Sequence, residues 1–223
     1  MLTTIGTAII DFLFPPHCPL CDAYVENQGD WCDECLRATV KPFFVPQAGK
    51  NYGRLDGAWA MGVYQGALRD LIFAVKFRGQ TDQAKFLHRV TLAADDKLVL
   101  PHIDTAAPVP LHESRLKERG FNQAELIFAP WLKQRGLKSL PLLTRVKATR
   151  RQYTLKAAER YANISDAFAV TPGYAESVRG QSILLLDDIL TTGSTLKECA
   201  EVLKNGGAKF VYALVLSGNN KEN

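Results

Sequence analysis

Little in this chain points to a membrane, a repeat or a disordered tract. Charged residues make up only 22% of its 223 residues, and apolar residues recur throughout, which argues against intrinsic disorder. There is no internal repeat and no low-complexity segment, which excludes solenoids and fibrous arrays. The Walker A pattern G-x4-G-K-[ST] is absent, so P-loop nucleotide chemistry is excluded. The apolar segment Leu2 to Phe14 is too short to span a bilayer as a helix. No Lys or Arg precedes it and no small-residue cleavage site follows it, so a signal peptide is not expected. Ile5, Ile9, Phe12 and Leu13 give it one apolar helical face, expected to pack on its own domain, with partner or membrane docking as the alternative. The expected location is cytoplasmic, with no transmembrane segment.

What is present fits one full domain with a small attachment. Hydrophobic residues reach 47%, and helical and strand patterns alternate, so a mixed α/β class is expected. Residues 112 to 160 hold twelve Lys or Arg against four Asp or Glu, whereas the rest of the chain holds 15 against 19. Such a basic stretch is a site for phosphates, in a small ligand or in nucleic acid, or else a solvated face.

Four of the five cysteines lie between positions 18 and 35. A spacer from Pro42 to Gly53 then marks a boundary near residue 50, dividing the chain into modules 1–50 and 51–223. Gly57 to Tyr64 reads as a strand, and Leu68, Leu71, Ile72 and Val75 keep helical spacing up to Gly79. Asp104 to Val109 is a short strand, followed by a long basic loop, Leu111 to Asn122. Ala124 to Lys133 is helical, Leu140 to Val146 a strand, Leu155 to Tyr161 a helix and Ala167 to Val170 a strand. The clearest unit is last: an apolar strand at Ser182 to Leu186, a turn at Asp187 to Gly193, a helix at Thr195 to Lys204 and a second strand at Phe210 to Leu216. The continuous apolar runs are those of buried parallel strands.

The cysteines are spaced Cys18-x2-Cys21 and Cys32-x2-Cys35. Two such knuckles suit tetrahedral Zn2+, each giving two thiolates. The alternatives are disulfides or unrelated buried thiols; disulfides are disfavoured in a chain without an export signal. A module this small scarcely buries a core, so the metal would supply much of its folding energy and its role would be structural. Cys199 stands apart and reads as a core residue.

Asp187 and Asp188 follow the apolar strand, and Thr191, Thr192, Gly193, Ser194 and Thr195 follow them and open a helix. The strand delivers two carboxylates to the carboxyl edge of the sheet, where open α/β folds bind ligands. The N–H groups at a helix start bind anions, hydroxyls add donors, and Gly193 permits close approach. One loop thus offers carboxylates to hydroxyls and a cradle to a monophosphate, the two features of a ribose 5-phosphate. The bland alternatives are an ordinary N-capped helix or a metal site.

This string resembles the motif by which type I phosphoribosyltransferases bind phosphoribosyl pyrophosphate (PRPP). The resemblance implies that Asp187 and Asp188 sit by the ribose hydroxyls, that Thr191 to Thr195 hold the 5-phosphate, and that Mg2+ accompanies the pyrophosphate. The fold it implies is a mostly parallel sheet flanked by helices. If transfer chemistry occurs, Asp187 or Asp188 would stabilise positive charge developing on the sugar.

The basic middle contains Arg115, Lys117 and Arg119, then Gly120-Phe121-Asn122-Gln123, and later Arg150 and Arg151. Arginines bind phosphates bidentately, so these five cations are candidates for a pyrophosphate or nucleic-acid loop. Together with the CxxC pair, Lys76-Phe77-Arg78-Gly79 and the terminal acidic string, they make the chain similar to the ComF family over nearly its whole length. That resemblance implies natural competence and the handling of incoming single-stranded DNA, with PRPP as ligand and a competence-machinery protein as a further partner. A PRPP-dependent transfer to an unidentified base or amine is the alternative. A glutamine-dependent amidotransferase is not expected: residues 1 to 50 form the cysteine module, and Met1 is not followed by a cysteine.

Overall fold

A computed structural model describes residues 13–45, 53–147 and 166–219. Its helices are α1 (Asp33–Thr39), α2 (Gly66–Arg78), α3 (Ala84–Ala94), α4 (Glu113–Arg119), α5 (Gln123–Gln134), α6 (Ala175–Val178) and α7 (Ser194–Asn205). Its strands are β1 (Phe43–Phe44), β2 (Gly57–Val63), β3 (Thr105–Pro108), β4 (Leu143–Arg145), β5 (Phe168–Val170), β6 (Ser182–Leu190) and β7 (Phe210–Gly218).

Five strands form one sheet in the order β1-β2-β7-β6-β3. All neighbours are parallel except β1, an antiparallel edge. β4 and β5 pair antiparallel as a separate ribbon. The sheet is apolar on both faces because helices cover both. Along β6, Leu184 and Leu186 enter one core with α2, α3 and α5, while Ile183 and Leu185 enter the other with α7. The period of two is therefore present, but both phases are apolar, which is why the sequence shows a continuous run. On α7, Leu196, Cys199, Ala200 and Leu203 are buried at helical spacing, so Cys199 is a core residue.

Four details differ from the sequence-based expectation. The strand does not end at Leu186: Asp187 pairs with Val215 and Leu190 with Gly218, so the acids ride on β6 and the turn shrinks to Thr191–Gly193. The expected loop from Leu111 to Asn122 contains α4, whose first turn is capped by the His112 ring and whose last residue is followed by Gly120 at φ 84°. The expected spacer from Pro42 includes β1, which registers Phe43 with Ala60. Residues 84–94, unassigned from sequence, form α3, whose buried Leu87, Val90 and Thr91 pack inward. The helices expected at Leu2 to Phe14 and at Leu155 to Tyr161 lie outside the described residues, apart from positions 13 and 14.

The cysteine module packs on α3 and shares a core with the sheet domain. Trp31 is 4% exposed in that common core, and its indole N–H donates to the Phe86 carbonyl at 3.0 Å. Arg89 on α3 pairs with Asp30 at 2.8 Å. Among the described residues, no helix is long and apolar enough to cross a membrane.

Candidate functional site

The acids stand at the carboxyl end of β6. Asp188 is 1% exposed, a position no lone carboxylate holds without a partner. Its partner is Lys76 of α2, with Nζ 2.9 Å from Oδ1 and 2.7 Å from Oδ2. Asp187 is half-buried, and its Oδ1 accepts the Asp188 backbone N–H at 2.9 Å. Burial, and then the Asp188 charge, push Asp187 up to about 8 against the pull of Lys76. Asp187 therefore holds its proton to a higher pH than an ordinary carboxylate does.

The turn that follows builds the cradle. Gly193 sits at φ 78° in the left-handed region, which side chains resist, and caps α7. The Thr192 and Ser194 hydroxyls lie 2.9 Å apart, and the Gly193 carbonyl accepts the Lys197 N–H at 2.8 Å. Thr192, Ser194 and the first residues of α7 line the same cleft as the acids, and the start of a helix offers backbone N–H groups to an anion.

Arg115 and Arg119 reach the same cleft from α4. The string Arg119 to Gln123 explains how. Arg119 donates to the Gln123 side-chain carbonyl, Gly120 ends α4, and Asn122 caps α5 through its 2.9 Å bond from the Ala124 N–H. The Asn122 amide also donates to the Val109 carbonyl at 3.0 Å, tying this corner to the end of β3. Lys117 does not join them: it is 76% exposed and pairs with Glu113 on its own helix. Arg150 and Arg151 lie outside the described residues.

Besides Arg78, two cleft cations were not among the site residues read from sequence. Lys76 is one. Its signal was present in the Lys76-Phe77-Arg78-Gly79 element, but its pairing is long-range. Arg145 is the other, at the end of β4. Burial, and then the nearby Arg115, pull its guanidinium below the ordinary value, and Asp187 is a neighbouring charge. An arginine ending a short apolar strand was the available signal. The whole cleft encloses about 610 Å³, room for a phosphorylated sugar with a second phosphate group.

Asp187, Asp188, Thr191, Thr192, Gly193, Ser194, Thr195, Arg115 and Arg119 thus line one cavity, drawn from two stretches of the chain. A ligand with vicinal hydroxyls and phosphates at both ends matches this order of acceptors, donors and cations.

The second site is the cysteine cluster. The four Sγ atoms of Cys18, Cys21, Cys32 and Cys35 lie within 4.8 Å of one another, with Cys21 and Cys32 at 3.6 Å. Four ligands about 2.3 Å from Zn2+ stand about 3.8 Å apart, so the cluster fits the ion. Burial raises the Cys18 thiol, but backbone N–H groups of Cys21, Leu20 and Cys32 outweigh it and bring it down to about 6. Cys32 caps α1, its sulfur accepting the Cys35 N–H at 3.5 Å. With four thiolates there is no open position, so Zn2+ here supplies folding energy and no chemistry.

The cysteine cluster and the acidic strand with its cradle each fall within a domain found in known proteins. Residues 9–54 match the double zinc ribbon domain, and residues 142–223 match the phosphoribosyl transferase domain. The chain is 30% identical to Competence protein F of Haemophilus influenzae, over 88% of this chain and 82% of that protein. It is 34% identical to DNA utilization protein YhgH of Escherichia coli strain K12, over 89% and 88%. To Competence protein ComFC of Bacillus subtilis it is 29% identical, over 69% and 60%. A zinc ribbon ahead of a phosphoribosyltransferase-like α/β domain, with relatives of this identity over most of their length, places the chain in the ComF family.

Proposed function

We propose that the cleft binds PRPP and that the protein uses it while handling incoming single-stranded DNA in natural competence, in the cytoplasm. The observation that carries the PRPP reading is the shared cavity of the acidic pair and the α7 cradle. The 5-phosphate sits on Thr191 to Thr195, the ribose hydroxyls donate to Asp187 and Asp188, and the pyrophosphate meets Arg115 and Arg119. Mg2+, when bound, neutralises the pyrophosphate. Asp188 is already matched by Lys76, so Asp187, once it gives up its proton, would be the carboxylate to hold the ion. In this reading residues 1–50 are the structural zinc module, and residues 51–223 carry the ligand site. The ribbon also offers a docking surface for a competence-machinery protein.

The DNA reading rests on the basic excess between residues 112 and 160 and on relatives named for competence and DNA utilization. Phosphate contacts from that stretch predict binding to single strands that weakens steeply as salt rises. Titration of a labelled oligonucleotide at several salt concentrations tests it, with affinity falling as salt rises as the expected result. Absent or salt-insensitive binding contradicts it.

A further inference from the structure

The second half of α2 carries two aromatic side chains that the core does not use. Leu68, Leu71, Ile72, Ala74 and Val75 of this helix are buried, whereas Phe73 and Phe77 are 44% and 43% exposed. Four residues apart, they meet on one helical face with ring centroids 4.9 Å apart. Each has a cation beside it: the Arg78 guanidinium lies 5.4 Å from the Phe73 ring, and the Lys76 ammonium 5.9 Å from the Phe77 ring. The pair is continuous with the ligand cleft, since Lys76, Phe77 and Arg78 all line it.

We infer that Phe73 and Phe77 form a stacking platform for the bases of a single DNA strand at the edge of the cleft. The inference rests on the single-strand reading above and adds the place where bases are held. Every base has a π-face, so two exposed rings bind a strand without reading its sequence. Arg78 beside the rings matches the phosphates between stacked bases, and Arg115 and Arg119 extend the positive lining into the cleft. A duplex hides its base faces and does not fit this platform. A strand held here has its end or backbone next to the PRPP pocket, which gives a physical route for the two ligands to affect each other.

The test uses full-length, zinc-loaded protein and fluorescence anisotropy with two labelled probes: oligo(dT), and a strand of equal length in which every base is replaced by an abasic site. Phe73→Leu/Phe77→Leu removes the rings but keeps apolar side chains, and Phe73→Trp/Phe77→Trp keeps stacking. Melting temperature and zinc content confirm that each variant is folded. The expected result is oligo(dT) binding weakened about tenfold or more in the leucine variant and restored in the tryptophan variant. Wild type should bind the abasic strand about as weakly as the leucine variant binds oligo(dT), with the salt dependence retained. Equal oligo(dT) binding by wild type and the leucine variant overturns the platform while leaving the single-strand reading intact. No oligo(dT) binding by wild type overturns both.

Discussion

Lys76 and Asp188, 112 positions apart in sequence, form the ion pair that fixes the floor of the ligand cleft, with both carboxylate oxygens within 2.9 Å of one ammonium. The pair joins α2 to the end of β6, the two elements that bring the aromatic helix and the acidic strand together. Lys76 is a structural counter-charge as well as a cleft residue, because Asp188 is almost fully buried.

Removing one partner leaves the other charge stranded. Lys76→Met is expected to destabilise the protein by about 3 kcal/mol, measured by urea unfolding. Lys76→Met/Asp188→Asn should recover most of that loss, since it removes the uncompensated carboxylate. A double variant no more stable than Lys76→Met would contradict the pairing argument.

Asp187 gives the protein a pH signature. Its carboxyl rises in the fold from the ordinary 3.8 to about 8, so the folded state holds the proton more tightly than the unfolded chain. Ionising it therefore costs stability progressively as pH rises across that window, and the cost is absent below it. Asp187→Asn carries no such cost. Its melting temperature should exceed that of wild type by a margin that grows between about pH 4 and about pH 8 and then levels off. A constant margin would mean that Asp187 titrates as an ordinary carboxylate.

Zinc removal should be felt beyond the ribbon. Trp31 sits in the core shared with α3, so loss of the metal frees an indole as well as four thiols. Chelation at raised temperature should release one Zn2+ per chain, shift Trp emission to the red and lower the melting temperature. Trp31→Ala should destabilise by about 3–5 kcal/mol with the zinc retained. Zinc loss with unchanged emission and melting would contradict a shared core.

At Gly193 the backbone is left-handed, φ 78°, and the cradle depends on it. Gly193→Ala should cost about 1–2 kcal/mol in stability. It should also weaken phosphate binding more than Thr191→Ala does, as read by calorimetry with ribose 5-phosphate. Equal effects of the two changes would place the phosphate elsewhere.

The sheet was legible because buried parallel strands leave continuous apolar runs, and the cradle because Thr191 to Thr195 follow such a run directly. What escaped depended on three-dimensional pairing. β6 continues through Asp187 and Asp188 because β7 supplies backbone partners as far as Gly218, and no local signal marks that. α4 looks like a loop in the sequence because its residues, Glu113 to Arg119, include no buried position to give a helical period. Lys76 could not be matched to Asp188 from spacing, since a tertiary contact sets that distance. Arg119 was found by charge alone; its place in the cleft comes from the turn at Gly120 and the cap at Asn122. Lys117 carries the same charge two positions earlier and points to Glu113 instead.

The most direct test of the central claim is calorimetric titration of PRPP with Mg2+ into zinc-loaded wild type and into Asp187→Ala/Asp188→Ala. Saturable binding by wild type that disappears in the folded double variant is the predicted result. No binding by wild type, or equal binding by the two proteins, would contradict a PRPP site at the end of β6.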